Sequence, residues 1–149
     1  MDIKSPEERS RNMSRIRSRD TKPEVWLRKQ LFARGYRYRK NVNYIPGHPD
    51  LWLAKYHTAI FVHGCFWHRH EGCKYAYMPK SRIEFWEQKF EKNILRDEIV
   101  KQALVERNIK CLIVWECSIK EIWNKEEKTQ ILIETVERFF KHGEKYLEL

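Results

Sequence analysis

The chain has 149 residues, 42% of them hydrophobic and 13% aromatic with six Trp, and a formal net charge of +9. That is enough apolar material for one folded domain and too little chain for two, and it excludes a disordered polymer. No apolar run approaches the ~18 residues of a membrane span, so the chain reads as a cytoplasmic protein with no membrane partner.

The first segment is an arm. Residues 1–40 hold 13 Lys/Arg against 5 Asp/Glu, whereas residues 41–149 hold 17 against 16. The excess is densest in "RSRNMSRIRSR", where Arg15, Arg17 and Arg19 suit phosphate groups, and it marks residues 1–20 as a basic arm for nucleic acid. A solvated tail is the alternative. Met13 and Ile16, apolar residues set among the arginines, favour nucleic acid, because apolar wedges beside cationic contacts pry base steps apart.

Residues 21–149 read as one folded unit. In "TKPEVWLRKQLFARGY", Thr21 is an N-cap, Pro23 lies in the first turn, and Val25, Leu27, Leu31 and Phe32 supply an apolar face before Gly35 ends the helix. "YRYRKNV" alternates like a strand, and "IPGHP" is a break. "DLWLAKYHTAIFV" reads as two strands turning near Ala54–Lys55, the second apolar enough to be central. A long helix runs from about Ser81 to Arg107, with Ile83, Trp86, Phe90, Ile94, Ile99 and Leu104 near helical spacing. "KCLIVWEC" is a buried strand ending at Cys117, and "KTQILIETVERFF" is an amphipathic helix. This order predicts a single α/β domain with a small mixed sheet.

The stretch "HGCFWHRHEGC" carries the chemistry. Cys65, His70 and Cys73 lie within nine residues, and the strand that ends at Cys117 is placed to bring a fourth donor alongside. Three thiolates and an imidazole suit tetrahedral zinc, and a closed shell of this kind is structural. The alternative is buried, inert thiols, which is how Cys111 reads in mid-strand. His63 ends a buried strand and His68 lies on the stiffened loop, where a neutral imidazole accepts a proton near neutral pH. If the substrate is a phosphodiester, Mg²⁺ needs an oxygen ligand; Asp50 offers one, opposite the backbone carbonyl of Val62 in the hairpin.

"NMSRIRSRDTKPE", "PGHPD", "IFVHGCFWH", "EFWEQKFEKNILRD" and "LIVWEC" together resemble the very-short-patch mismatch repair endonucleases, a branch of the PD-(D/E)xK, restriction-endonuclease-like nucleases. The resemblance spans residues 12–117. It implies a restriction-endonuclease-like mixed sheet flanked by helices, and Mg²⁺-dependent nicking of duplex DNA 5′ to the thymine of T·G mismatches left by deamination of 5-methylcytosine. It also implies a monomer supported by a structural zinc, acting in a bacterial cytoplasm and nucleoid-associated when on DNA, with mismatch-repair proteins as further partners.

Carried onto this chain, the resemblance gives Mg²⁺ to Asp50 and the Val62 carbonyl, the general-base role to His68, an assisting role to His63, and an orienting role to Glu24. Cys65, His70, Cys73 and Cys117 match the zinc ligands, and Phe66 and Trp67 match aromatics that intercalate opposite Met13 and Ile16. Lys89 and Asn93 would face the mismatched pair. Two departures stand out. "FVHGC" occupies the place of the usual second carboxylate and lysine, and two residues, Glu71 and Gly72, separate His70 from Cys73 where one is expected. A restriction-type endonuclease of the same fold and a non-catalytic zinc-stabilised DNA-binding module are the competing readings.

Overall fold

The structure is a computed structural model that describes residues 19–149. The arm residues Met13, Arg15, Ile16 and Arg17 therefore lie outside the described residues, and Arg19, at their boundary, is exposed. Among the described residues, four α-helices and a five-stranded mixed sheet form one α/β domain. The class is as the sequence predicts, but the short helix Glu116–Ile122 and the strand Tyr146–Glu148 are not among the predicted elements.

Helix α1 spans Lys22–Ala33, followed by strands β1 (Arg39–Lys40) and β2 (Leu51–Leu53). A single 3₁₀ turn, Ala54–Tyr56, leads into β3 (Thr58–His63). Helix α2 spans Ile83–Glu106, β4 Lys110–Trp115, α3 Glu116–Ile122, α4 Glu126–Lys141 and β5 Tyr146–Glu148. The sheet runs β1-β2-β3-β4-β5, antiparallel from β1 to β3 and parallel from β3 to β5. The predicted hairpin is present, with Leu51 opposite Ile60. "YRYRKNV" contributes only Arg39–Lys40, both exposed at the sheet edge.

Alternation along the strands sends side chains to two layers. Ile60, Leu112 and Val114 meet Leu27 and Leu31 of α1, Ile119 of α3, and Ile133, Val136 and Phe139 of α4. Ala59, Phe61, Cys111, Ile113 and Trp115 face the other way, with Leu104 of α2. Cys111 is thus core, as expected. The loop before β2 lies tight under α2: at Gly47, whose φ is +81°, an added Cβ would stand 2.5 Å from Val100 Cγ1 and 2.9 Å from Phe61.

Three expectations need correction. In α1, Phe32 is 55% exposed under the Arg37 guanidinium, and the inward stripe is Glu24, Leu27, Arg28 and Leu31. In α2, Phe90 and Leu104 are buried as expected, but Ile83, Ile94 and Ile99 are exposed and Asn93 is buried with the inward face. The "KCLIVWEC" strand stops at Trp115, so Cys117 is the second residue of α3. Each has one cause: both helices pack against functional groups as well as core, and the chain turns once it leaves the sheet edge.

Candidate active site and metal cluster

Helix α1 begins at Thr21, whose Oγ1 accepts the backbone N–H of Glu24 at 3.4 Å. That cap fixes the first turn and directs Glu24 inward, where it is only 5% exposed. Its Oε2 accepts the backbone N–H of Asp20 at 2.9 Å, and Asp20 also pairs with Arg28 at 2.8 Å. Across from it, Asp50 stands just ahead of β2 and accepts the backbone N–H of Val62 at 2.7 Å. The expected meeting of Asp50 and Val62 is therefore made, through the Val62 amide.

The two carboxylates lie close enough to disturb each other. Burial, and then the charge of Glu24, push the Asp50 carboxyl up to about 7. Burial likewise raises Glu24. Arg28, one turn after Glu24 and 6% exposed, opposes both shifts, and its second terminal nitrogen is buried without a hydrogen-bond partner among the described residues. Two repelling carboxylates, Glu24 buried and Asp50 half-buried, form an oxygen-donor site suited to a hard divalent cation.

On the other face of β3, His63 is buried and stacks flat on His68, with ring centroids 3.7 Å apart and planes 6° from parallel. Burial, reinforced by the neighbouring His68, holds His63 down at about 3, so it stays a neutral shelf. His68 Nδ1 meets Asp97 Oδ2 of α2 at 2.8 Å, which leaves Nε2 as its free nitrogen. His68 and Glu24 line one cleft of about 810 Å³. An imidazole oriented by a carboxylate beside paired carboxylates has the parts to deprotonate a water and neutralise a phosphate.

The cysteines gather where the sequence places them. The ligand atoms of Cys65, His70, Cys73 and Cys117 all lie within 4.8 Å of one another. His70 Nδ1 is 3.4 Å from Cys117 Sγ, close to the ~3.5 Å edge of a tetrahedron with Zn–N of ~2.0 Å and Zn–S of ~2.3 Å. The donor set fits zinc, and the two-residue gap between His70 and Cys73 does not prevent convergence, since Gly72 takes φ +72°. Trp115 stacks on His70 at 4.1 Å, and its indole N–H donates to Glu148 of β5.

Phe66 and Trp67 are half-buried in an aromatic cluster. Phe66 packs edge-on to Trp67, Trp86 and Phe90 at 5.1–5.5 Å, and Arg69 lies 3.7 Å over the Phe90 ring while donating to the carbonyls of Phe66, Ala76 and Tyr77. Asn93 donates its amide to the Trp67 carbonyl at 2.9 Å, so it braces the loop from below. Lys89, one turn earlier on α2, is exposed.

Sequence reasoning missed Asp97 and Arg28, and it read Trp86 only as part of an apolar helix face. The signal was present in α2: Trp86, Phe90, Asn93, Asp97, Val100 and Leu104 recur at spacings of four and three, an inward stripe broken by two polar residues. Polar residues inside an apolar stripe are costly without partners, so their partners matter.

A carboxylate pair and an oriented imidazole near one sheet edge suit hydrolytic chemistry, and comparison with known proteins supplies the enzyme class. The family model described as "DNA mismatch endonuclease Vsr" matches residues 1–74. The type II nicking enzyme V.NmeAIP of Neisseria meningitidis is 45% identical over 119 residues, 80% of this chain and 84% of its own. V.XorIIP of Xanthomonas oryzae, also a type II nicking enzyme, is 36% identical over 130 residues, 87% of this chain and 95% of its own. The DNA mismatch endonuclease Vsr of Escherichia coli K12 is 40% identical over 119 residues, covering 80% and 76%. The chain belongs to the Vsr family of DNA mismatch and nicking endonucleases, and it is a DNA endonuclease.

Proposed function

We propose that this chain nicks one strand of duplex DNA, 5′ to the thymine of T·G mismatches left by deamination of 5-methylcytosine, and so starts very-short-patch repair. The observation that carries the reading is that Glu24, the neighbour of Asp50, opens onto the same cleft as His68, whose ring Asp97 orients and His63 backs. Its fold is the restriction-endonuclease-like one, with residues 1–20 as a DNA-binding arm ahead of the nuclease domain at 21–149. No described helix is long and apolar enough to cross a membrane. The chain would work as a monomer in the cytoplasm, at the nucleoid.

Asp50 and the Val62 carbonyl would hold Mg²⁺, with Glu24 orienting its water shell. When bound, Mg²⁺ supplies charge neutralisation at the scissile phosphate. His68 Nε2 takes the proton of the attacking water, Asp97 fixes the ring through Nδ1, and neutral His63 shelves it from behind. Cys65, His70, Cys73 and Cys117 would hold zinc and so lock the loop that carries His68 to the first turn of α3.

Recognition rests on deformability. A wobble pair stacks weakly, so a wedge of Phe66, Trp67 and Trp86 enters there at less than the few kcal/mol that matched steps cost. Met13 and Ile16 would enter from the opposite groove, and Lys89 and Asn93 lie on the helix that supports the wedge. Arg15, Arg17 and Arg19 would supply phosphate contacts, and mismatch-repair proteins would act downstream.

The test is nicking of otherwise identical T·G and matched duplexes with Mg²⁺. The wild type should nick the T·G strand, and Asp50→Ala should bind DNA without cutting. Residual cutting by Asp50→Ala near the wild-type rate would overturn the assignment.

A further inference from the structure

The cleft shared by Glu24 and His68 is also lined by Glu116 and Lys120, from successive turns of α3. Among the described residues lining it, Lys120 carries the one permanent positive charge, against the two carboxylates of Glu24 and Glu116. A DNA endonuclease must bring a polyanion into this space. As it stands, the cleft offers that polyanion more repulsion than attraction.

Lys120 is already engaged. Its ammonium forms an ion pair with Glu116 one turn before it, while its side chain remains 49% exposed. Glu116 lies close to the floor of the cleft: a Cβ built on Gly64 would stand 3.4 Å from Glu116 Oε2 and 3.6 Å from Trp67 Cδ1. Gly64 joins His63 to the metal-cluster loop, so the carboxylate holding Lys120 lies beside the backbone that carries the site.

We propose that Lys120 is a DNA-backbone contact of the active-site cleft, held in reserve by Glu116 and transferred to a phosphate when duplex enters. The proposal rests on the reading of this cleft as the nicking site and adds to it the residue that receives the backbone. The exchange is isoelectric for Lys120, carboxylate for phosphate, and an exposed ion pair is worth only ~0–1 kcal/mol, so opening it is no barrier. Glu116 then acts against binding. Neutralising it frees the ammonium and removes a charge that repels the phosphate.

The two residues therefore predict effects of opposite sign. Lys120→Gln should weaken duplex binding and lower the slope of log affinity against log salt by roughly 0.9, the value of one phosphate contact. The wild type's advantage over Lys120→Gln should accordingly shrink by about 3.5-fold between 50 and 200 mM salt. Lys120→Arg should restore slope and affinity, and Glu116→Gln should bind more tightly than wild type.

Binding is measured by fluorescence anisotropy on a T·G duplex without added Mg²⁺ and without chelator, so nicking does not enter. Matching far-ultraviolet spectra and metal content would confirm intact folds. An unchanged salt slope in Lys120→Gln would overturn the contact, and weaker binding by Glu116→Gln would overturn the reserve role. Either failure is separable from failure of the nicking assignment, which is decided by Asp50→Ala in the cleavage assay.

Discussion

Asp50→Asn should stabilise the protein while it destroys nicking, and the structure sets the size of the gain. Raising a carboxyl from its ordinary 3.8 to about 7 makes its ionisation in the folded chain about 4 kcal/mol more costly than in the unfolded chain. Asn removes that cost. It keeps a side-chain oxygen for the Val62 N–H, but exchanging a charged acceptor for a neutral one gives back ~1 kcal/mol, and relief of Glu24 overlaps with the same gain. A net ~3 kcal/mol remains at pH 8. For a chain of this length that is a rise in Tm of roughly 6–12 °C.

The sign with pH is fixed by the direction of the shift. A carboxyl raised in the folded state stabilises below its unfolded value and loses that contribution as pH climbs from about 4 through about 7. The gap between Asp50→Asn and wild type should be widest at pH 8 and close toward pH 4–5. His63, held at about 3, makes both proteins less stable as pH falls below ~6.5, and being common to both it cancels in the difference. Thermal melts followed by circular dichroism without Mg²⁺ measure the gap, and adding Mg²⁺ should raise only the wild type, by mass action. Asp50→Asn melting at or below the wild type across this range would show that the carboxylates do not strain the fold.

Three further outcomes are expected. Zinc should copurify at one equivalent, and Cys117→Ser should lose it and melt lower; nicking by metal-analysed, zinc-free protein would refute the structural site. Asp97→Asn should slow single-turnover nicking by about 10–100-fold, part of the ~10²–10⁴ a general base contributes, while duplex affinity measured by anisotropy stays within about twofold. Replacing Phe66 and Trp67 together by Ala should erode the preference for T·G over matched duplex more than it erodes affinity for matched duplex, and equal losses would make the pair core packing around the loop.

The sequence is most legible where one local rule decides. Thr21, Pro23 and Gly35 bound α1 because capping chemistry is local, and the hairpin of "DLWLAKYHTAIFV" forms because its two apolar runs are a turn apart. The cluster of Cys65, His70, Cys73 and Cys117 is legible because few residue types suit soft cations. The helix phases are not legible. Ile94 and Asp97 compete for the inward face of α2, and apolarity favours Ile94 until the His68 ring is known to lie opposite Asp97. Likewise Phe32 outranks Arg28 by hydropathy, yet Arg28 is buried beside the carboxylates and Phe32 is left outside under Arg37. α3 and β5 escape for another reason: each is too short for its own periodicity to be read.

What joins the separate stretches is the parallel pairing of β3 with β4. Their register sets His63 beside Trp115, so the chain leaves both strands at the same edge of the sheet. From β3 it passes directly into Gly64, Cys65 and the loop of His68 and His70; from β4 it passes into Glu116 and Cys117. An antiparallel pair would send those exits to opposite edges, and Cys117 could not meet Cys65. The crossover between parallel strands must itself be long, and here it is α2, which returns over the sheet and delivers Asn93 and Asp97 to the loop it has just left. One topological choice therefore fixes the cysteine–histidine cluster, the imidazole and its orienting carboxylate together. The antiparallel β2–β3 hairpin adds the remaining piece, because it brings Asp50, which precedes β2, back to Val62 one residue before His63. Glu24 needs no strand: α1 packs Leu27 and Leu31 on the layer formed by Ile60 and Val114, and the cap at Thr21 determines which turn of that helix reaches the sheet edge.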